Sequence, residues 1–424
     1  MAQHMPHTAP VSFAELFRVF GRIGVLSFGG PAAQIALMHR ELVETRSWLD
    51  EATFLRALSL CMMLPGPEAM QLATFAGWRL RGVAGGVVAG ALFVLPGAVI
   101  IAALVGVYVN FGEQSYVKSA FLGVQAAVVS IVISALRGLS ARALARSSDY
   151  LIAVLAFAAI FVAGVPFPAI IAAAAIWGAV RGVPVPAPAP HTPTAAPPGP
   201  ALTTLALWGG LWLVPLVALT VAGAELLAVL GWFFAKLAVV SFGGAYAVLA
   251  YMTQAMTVDF GWLDTGQMIA GLGLAETTPG PLILVTQFAA MLAGFGAGGA
   301  GLAVAAGVVA LWATFLPCFL WIFLAAPHLE RLSAAPRLAG ALSGITAAVV
   351  GVIANLSLWF ALHVLFTRVG AGPLALPLPD PASLSLPAAG LAVLGAVVIF
   401  VWRRGMVTAL AFCALAGIGL GAVT

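Results

Sequence analysis

The chain has 424 residues, 62% of them hydrophobic and only 8% charged. Soluble domains carry roughly 25% charged residues, so most of this chain faces something other than water and reads as an integral membrane protein. At about 20 residues per spanning helix, that length excludes a single-pass anchor and leaves no room for a soluble catalytic module.

Apolar segments follow one another at 12–30, 54–78, 82–109, 117–136, 150–164, 167–181, 203–222, 226–254, 266–293, 297–325, 338–366, 387–401 and 406–423. This predicts an all-α polytopic protein with about 13 transmembrane segments, the shorter ones tilted, re-entrant or merged. The runs at 82–109 and 297–325 are long enough to tilt or to be broken by Pro96 and Pro317. The N-terminal stretch lacks a basic start, an uninterrupted apolar core and a cleavage site, so no signal peptide is expected.

A Pro-rich run, GVPVPAPAPHTPTAAPPGP at 182–200, cannot span or pack and reads as a linker. It separates two stretches that repeat each other. SFGG recurs at 27–30 and 241–244, WLD at 48–50 and 262–264, and PGP at 65–67 and 279–281, each pair 214 residues apart. Between 20–67 and 234–281, 17 of 48 residues are identical without a gap, and shared low complexity would not hold one offset through three motifs. The expected organisation is a first repeat over 12–181, a linker over 182–202, and a second repeat over 203–424 with one extra leading span.

Lys and Arg collect on cytoplasmic loops, and the +4 formal charge is a property of those loops rather than of a nucleic-acid surface. Arg79 and Arg81, Arg137, Arg142 and Arg146, Arg181, Arg331 and Arg337, and Arg403 and Arg404 share one side if the N-terminus is cytoplasmic. The loop at 39–52 is discordant, although its acidic residues neutralise it. The extra span at 203–222 then inverts the second repeat. Inverted repeats with broken helices suit a secondary transporter, whose halves exchange access to one site near the midplane.

Each PGP interrupts an apolar run, where Pro removes a donor and Gly permits unusual dihedrals. A new helix can start at Pro67 or Pro281 and present free N–H groups to an anion, and a simple kink is the plainer alternative. SFGG serves either close helix packing or backbone access to a ligand. WLD reads as an interfacial Trp followed by an N-cap, at Asp50 and Asp264. Ionisable groups inside apolar runs are costly and usually face a cavity. Arg22 and Lys236 stand at the same register of the two repeats and could flank one anion, or snorkel to headgroups instead. Glu68 and Glu276 adjoin the two PGP breaks at non-equivalent positions, where either could neutralise a cation or carry a proton. Gln71, Gln287, Thr277 and Thr278 add neutral hydrogen-bonding groups. Cys61, Cys318 and Cys413 lie far apart with no His at ligand spacing, so no disulfide, metal or cofactor is expected.

The stretches FGRIGVLSFGGPAAQIALM, LPGPEAMQLATFAGW with GGVVAGALFVLPG, and LAETTPGPLILVTQFAAMLAG together resemble the chromate ion transporter family in its long, two-domain form. The resemblance implies an inner-membrane protein that exports chromate and confers resistance, with sulfate as a competing oxyanion. It places importance on Ser27, Gly29, Gly30, Pro65, Gly66, Pro67 and Glu68, and on Ser241, Gly243, Gly244, Glu276, Pro279, Gly280 and Pro281. Pro31, which often follows FGG in the family, is Ala245 in the second repeat, so contacts there need not be symmetric. The alternatives are uptake or exchange of sulfate by the same scaffold and, more remotely, a non-transporting scaffold or intramembrane enzyme. The absence of a nucleophile with a base, or of paired intramembrane aspartates, argues against an enzyme. The expected partners are the oxyanion and the lipid bilayer, and association into a homodimer stays open.

Overall fold

The computed structural model describes residues 11–182, 201–242, 245–329, 335–372 and 376–422, so nearly all of the Pro-rich linker lies outside the described residues. The first half runs α1 (Phe13–Leu26), α2 (Gly30–His39), α3 (Glu51–Met63), α4 (Glu68–Phe111), α5 (Ser115–Ala143), α6 (Ser147–Phe161) and α7 (Phe167–Arg181). After α8 (Ala201–Val221) come α9 (Glu225–Val240), α10 (Ala245–Gln254), α11 (Thr265–Thr277), α12 (Val285–Ala325), α13 (Pro336–Leu365), α14 (Leu386–Ala396) and α15 (Met406–Gly421). One short hairpin, β1 (Val369–Ala371) with β2 (Pro377–Pro379), follows α13.

Five stretches among the described residues are long and apolar enough to cross a membrane: Glu68–Phe111, Ser115–Ala143, Ala201–Val221, Leu282–His328 and Pro336–Leu365. The shorter apolar helices include α6, α7 and α15. Alpha-helix is the expected solution here, because hydrocarbon offers no partner to an exposed N–H or C=O.

The apolar segments at 54–78, 226–254 and 266–293 each contain two helices separated by a PGP or SFGG break. Sequence reading assigned 39–52 to a loop and stopped short of α2. In the structure α2 starts directly after Gly29 and continues through a π-helical turn, Arg40–Thr45. WLD does what its composition suggests: Asp50 Oδ1 accepts the Thr53 N–H at 2.8 Å and Asp264 Oδ1 the Gln267 N–H at 2.7 Å, capping α3 and α11.

The long helices are not broken at Pro96 or Pro317. Helical geometry fails instead at Arg81 and Gly82 (φ 64°) in α4 and at Gly298 and Gly299 (φ 74°) in α12. Both glycines carry a backbone conformation closed to other residues. The arms of each helix fold back on each other there: a Cβ at Gly77 would collide with the Gly85 carbonyl, and one at Gly294 would lie 2.7 Å from Leu302 O. The long arms of α4 and α12 run antiparallel, with Gly86 against Phe323 and Gly90 against Phe319.

Among the described residues, two of the three in-helix prolines are accommodated because the carbonyl each one frees finds another donor, and the third because its freed carbonyl is packed against a glycine. Pro317 frees the carbonyl of Ala313, four residues earlier, which accepts the Trp212 indole N–H from α8 at 3.1 Å. Reciprocally, Pro215 in α8 frees Leu211, whose carbonyl accepts the Trp312 indole N–H from α12 at 3.1 Å. Pro96 frees Leu92, whose carbonyl closes on Gly24 of α1, a position with no space for a Cβ.

Packing also crosses between halves. Helices α6 and α7 lie on α13, while α14 and α15 lie on α5. Gly178 and Gly340 meet backbone to backbone, Gly344 meets Ala174, Gly123 meets Cys413, and Gly417 meets Ser119, in each case with no space for a Cβ. Small residues at such crossings supply the close packing that replaces the hydrophobic drive missing between helices in lipid.

Trp212→Phe leaves Ala313 O unpaired and should destabilise the protein by about 1–2 kcal/mol. Pro317→Ala restores the intrahelical donor, so the double variant should recover most of that loss. Thermal unfolding of the two single variants and the double variant in detergent measures the coupling, and additive losses would remove the proline explanation.

Candidate functional site: the crossing of four helix breaks

The four breaks meet in pairs that cross between halves. Gly66 of the first PGP donates its N–H to the Ser241 carbonyl of the second SFGG at 2.7 Å, and Gly280 of the second PGP donates to the Ser27 carbonyl of the first SFGG at 2.9 Å. Each bond joins a carbonyl left over at the end of α1 or α9 to an N–H left over in an unwound segment. Both PGP glycines sit at positive φ, 119° at Gly66 and 93° at Gly280, as do Gly29 and Gly30. Gly243 and Gly244 lie outside the described residues.

Two glutamines complete the backbone accounting. Gln71 Nε2 donates to Pro65 O at 2.7 Å. Gln34 Nε2 donates to Gly280 O at 2.7 Å and Ser27 O at 3.2 Å. Sequence reading named Gln71 and missed Gln34, whose signal was a lone amide one and a half turns into the apolar helix after SFGG. The hydroxyls of Ser27, Thr277 and Thr278 donate to Ile23, Leu274 and Ala275 carbonyls of their own helices. Ser27, Ser241, Thr278, Gln71 and Gln287 are all buried. Gln287 Nε2 reaches Ala98 O at 3.0 Å, and the Oε1 atoms of Gln71 and Gln287 are buried without a partner.

Pro67 and Pro281 each stand just before the next helical segment: α4 starts at Glu68, and α12 follows one 3₁₀ turn, Leu282–Leu284. Pro65 and Pro279 flank the same glycines, and the Pro279 carbonyl presses on Gly97 of α4. Glu68 is half-buried at the first residue of α4. Glu276 is fully enclosed at the end of α11 and accepts the Tyr246 hydroxyl from α10. Tyr246 was not anticipated; its equivalent in the first half is Ala32, so no repeated motif marks it. No hydrogen bond or ion pair among those described joins Glu68 to Glu276.

The two cations stand apart from the crossing. Arg22 is exposed and lies 3.8 Å from Glu41, which also binds Arg46. Lys236 is exposed on α9, with its ammonium over the Tyr251 ring, 5.5 Å from the centroid.

Outside the long apolar stretches, His39 ties α2 to α3. Its Nε2 lies 2.7 Å from Glu51 and its Nδ1 3.1 Å from Glu44, and both nitrogens donate only when the ring is protonated. The hydrogen bond to Glu51 raises the His39 pKa above its ordinary value, partly opposed by burial and reinforced by the charges of Glu51 and Glu44.

Two predictions follow from this geometry. Gly66→Ala should be more destabilising than Gly280→Ala in thermal unfolding, because a Cβ at Gly66 would lie 2.8 Å from both Cys318 Sγ and Gln71 Nε2, whereas at Gly280 the nearest atoms are at 3.3 Å. Cys318→Ala should narrow that gap without closing it, since the Gln71 amide still lies 2.8 Å from the added Cβ at Gly66, while the positive φ costs about 1–2 kcal/mol at either site and does not enter the difference. For His39, a raised pKa means the tie is fully present below about pH 6.5 and is lost as pH rises through the raised value. Stability measured across that range should fall with pH in the parent and fall less in His39→Gln.

The sequence model of the chromate transporter family matches residues 14–179 and 228–418. The chain is 31% identical over 352 residues to the chromate transport protein of Cupriavidus metallidurans, covering 82% of each chain. It is 32% identical over 353 residues to the chromate transport protein of Pseudomonas aeruginosa, covering 81% of this chain and 80% of that one. A probable chromate transport protein of Synechococcus elongatus is 31% identical over 357 residues, covering 82% and 85%. No solved structure matches. With two matched segments that together take up most of its length, the chain belongs to the chromate transporter family.

Proposed function

We propose that this multi-pass membrane protein exports chromate from the cytoplasm across the inner membrane and thereby confers resistance, with the crossing of the four breaks as the place where the anion passes. The observation that carries this reading is the reciprocal pair of hydrogen bonds, Gly66 to Ser241 and Gly280 to Ser27. Unwound backbone at membrane depth is tolerated where it is buried in protein or lines a polar path, and here four such segments join in two pairs across the halves. The starts of α4 and α12 each follow one of these paired breaks, and a helix start presents free N–H groups of the kind an oxyanion needs. The unpaired amide oxygens of Gln71 and Gln287 mark a region where a polar or hydrated species lowers the cost of burial.

Ser27, Gly29, Gly30, Pro65, Gly66, Pro67 and Gln71 from one half, with Ser241, Gly243, Gly244, Thr277, Thr278, Pro279, Gly280 and Pro281 from the other, are the residues this reading assigns to the path. Antiparallel packing of the long arms of α4 and α12 supports a second repeat (203–424) inverted relative to the first (12–181), with a cytoplasmic N-terminus. In that arrangement the halves rock about the crossing and expose it to one side at a time.

Electrostatics favour the outward direction. A dianion leaving an inside-negative cell gains roughly 4.6 kcal/mol per 100 mV, twice the value for one charge. Export therefore requires no proton, and Glu68 and Glu276 are the groups able to carry one if coupling exists. In proteoliposomes with potential and pH gradient imposed separately, chromate flux should rise with inside-negative potential at a fixed pH gradient. Flux indifferent to potential would overturn potential-assisted export.

A further inference from the structure

Arg22 and Lys236 are equivalent by sequence, and the backbone keeps that register around them. Leu49 N–H donates to Leu42 O at 3.2 Å and Leu263 N–H to Met256 O at 3.2 Å, in turns 214 residues apart. In the first half, Arg22 faces the buried carboxylate of Glu41, whose other oxygen takes Arg46. The second half has Ala255 where Glu41 stands and Phe260 where Arg46 stands. Lys236 thus lacks the carboxylate its counterpart has, and among the described residues none lies within ion-pair distance of it. A cavity of about 420 Å³ opens at this place, lined by Lys236, Tyr251, Ala255, Trp232, Thr220 and Asp259.

A carboxylate is itself a small oxyanion. The first half therefore carries a built-in anion in the place that the second half leaves as space beside a cation. We infer that the Lys236 cavity binds a small free oxyanion, seated where the Glu41 carboxylate stands in the other half. The ammonium of Lys236 supplies the positive charge in this lining that attracts an oxyanion. Asp259 lines the same cavity and repels an anion, so the charge of Lys236 decides whether anything is held. Lys236 lies five residues before Ser241 on α9, one and a half turns from the crossing, which suits a waiting site on one side of the path. That the anion is chromate rests on the proposed function; that an oxyanion binds does not.

The same cation and cavity could hold the phosphate of a lipid headgroup, and the test separates the two sources. Equilibrium binding of radiolabelled chromate, and of sulfate as an unreactive probe, is measured on the purified full chain, and bound phospholipid is counted by native mass spectrometry. Lys236→Gln and Ala255→Glu, the latter restoring the carboxylate of the first half, should each weaken oxyanion binding at least tenfold, whereas Ala255→Ser should retain it. If Ala255→Glu fails to fold, Lys236→Gln decides, because it changes an exposed side chain without adding bulk. Unchanged oxyanion binding in both charge variants would overturn the site, as would loss of one phospholipid with oxyanion binding intact. Lys236-dependent sulfate binding in a protein without chromate flux would overturn the proposed function and leave this site standing.

Discussion

An unpaired backbone amide or carbonyl in hydrocarbon costs several kcal/mol, and this protein breaks helices at four places in its apolar interior. The cost is met by exchange: the first PGP pairs with the second SFGG, and the second PGP with the first SFGG. Neither half can satisfy its own breaks. A folded first half alone would leave the Gly66 N–H without its partner and the Ser27 carbonyl with only the long bond from the Gln34 amide, so the full geometry of the crossing exists only when both halves are present. Reciprocal exchange recurs further out, in the two indoles that cross between α8 and α12 and in the outer helices that lie on the opposite half.

Exchange of this kind lets the core be stiff and the crossing be polar at once. The outer contacts are glycine to backbone and leave no space for a methyl group, so they resist sliding. At the crossing, by contrast, two backbone hydrogen bonds and two glutamine amides hold the strands of chain together. Hydrogen bonds can be traded for bonds to a ligand or to water at small net cost, whereas packed surfaces cannot be parted without opening a void. The structure therefore concentrates its exchangeable interactions where the helix ends pair across the halves and its unexchangeable ones around them.

Much of this was legible in the sequence, and the remainder has physical reasons for being hidden. Apolar run length located the helical stretches but neither α2 nor the divisions inside 54–78, 226–254 and 266–293, and the 214-residue offset identified the equivalence of α1 to α3 with α9 to α11. PGP announced its own breaks because Pro and Gly act locally. What local reasoning could not supply was the partner: nothing in SFGG says that its carbonyl pairs with a PGP in the other half. Pro96 and Pro317 misled for the same reason. Whether an indole such as Trp212 arrives to pair the carbonyl a proline frees, or a glycine such as Gly24 lets another helix pack closely over it, is a tertiary fact. The actual turns at Gly82 and Gly299 are single glycines in glycine-rich runs, where no one position stands out. Gln34 and Tyr246 escaped because neither adjoins a PGP in sequence, and only the fold brings Gln34 to Gly280 and Tyr246 to Glu276.

The pattern of what the two halves keep and what they change is itself informative. Motifs that enter reciprocal backbone bonds are retained in both, since altering one break strands its partner in the other half. Beyond the capping Asp50 and Asp264, the carboxylates are not retained: Glu68 matches Leu282, Glu276 matches Met62, and Glu41 matches Ala255, while the cations Arg22 and Lys236 correspond. A hydrogen bond between equivalent breaks forces symmetry on the residues that make it, but a side-chain charge answers only to its own surroundings. If the halves are inverted in the membrane, their diverged charges face opposite compartments. A symmetric crossing would then offer an anion the same backbone from either side while the approaches differ in sign and in space, with Arg22 neutralised on one and Lys236 open on the other. On the proposed reading, symmetry in the backbone supplies a common passage, and asymmetry in the side chains is the feature able to make the two directions of travel unequal in affinity.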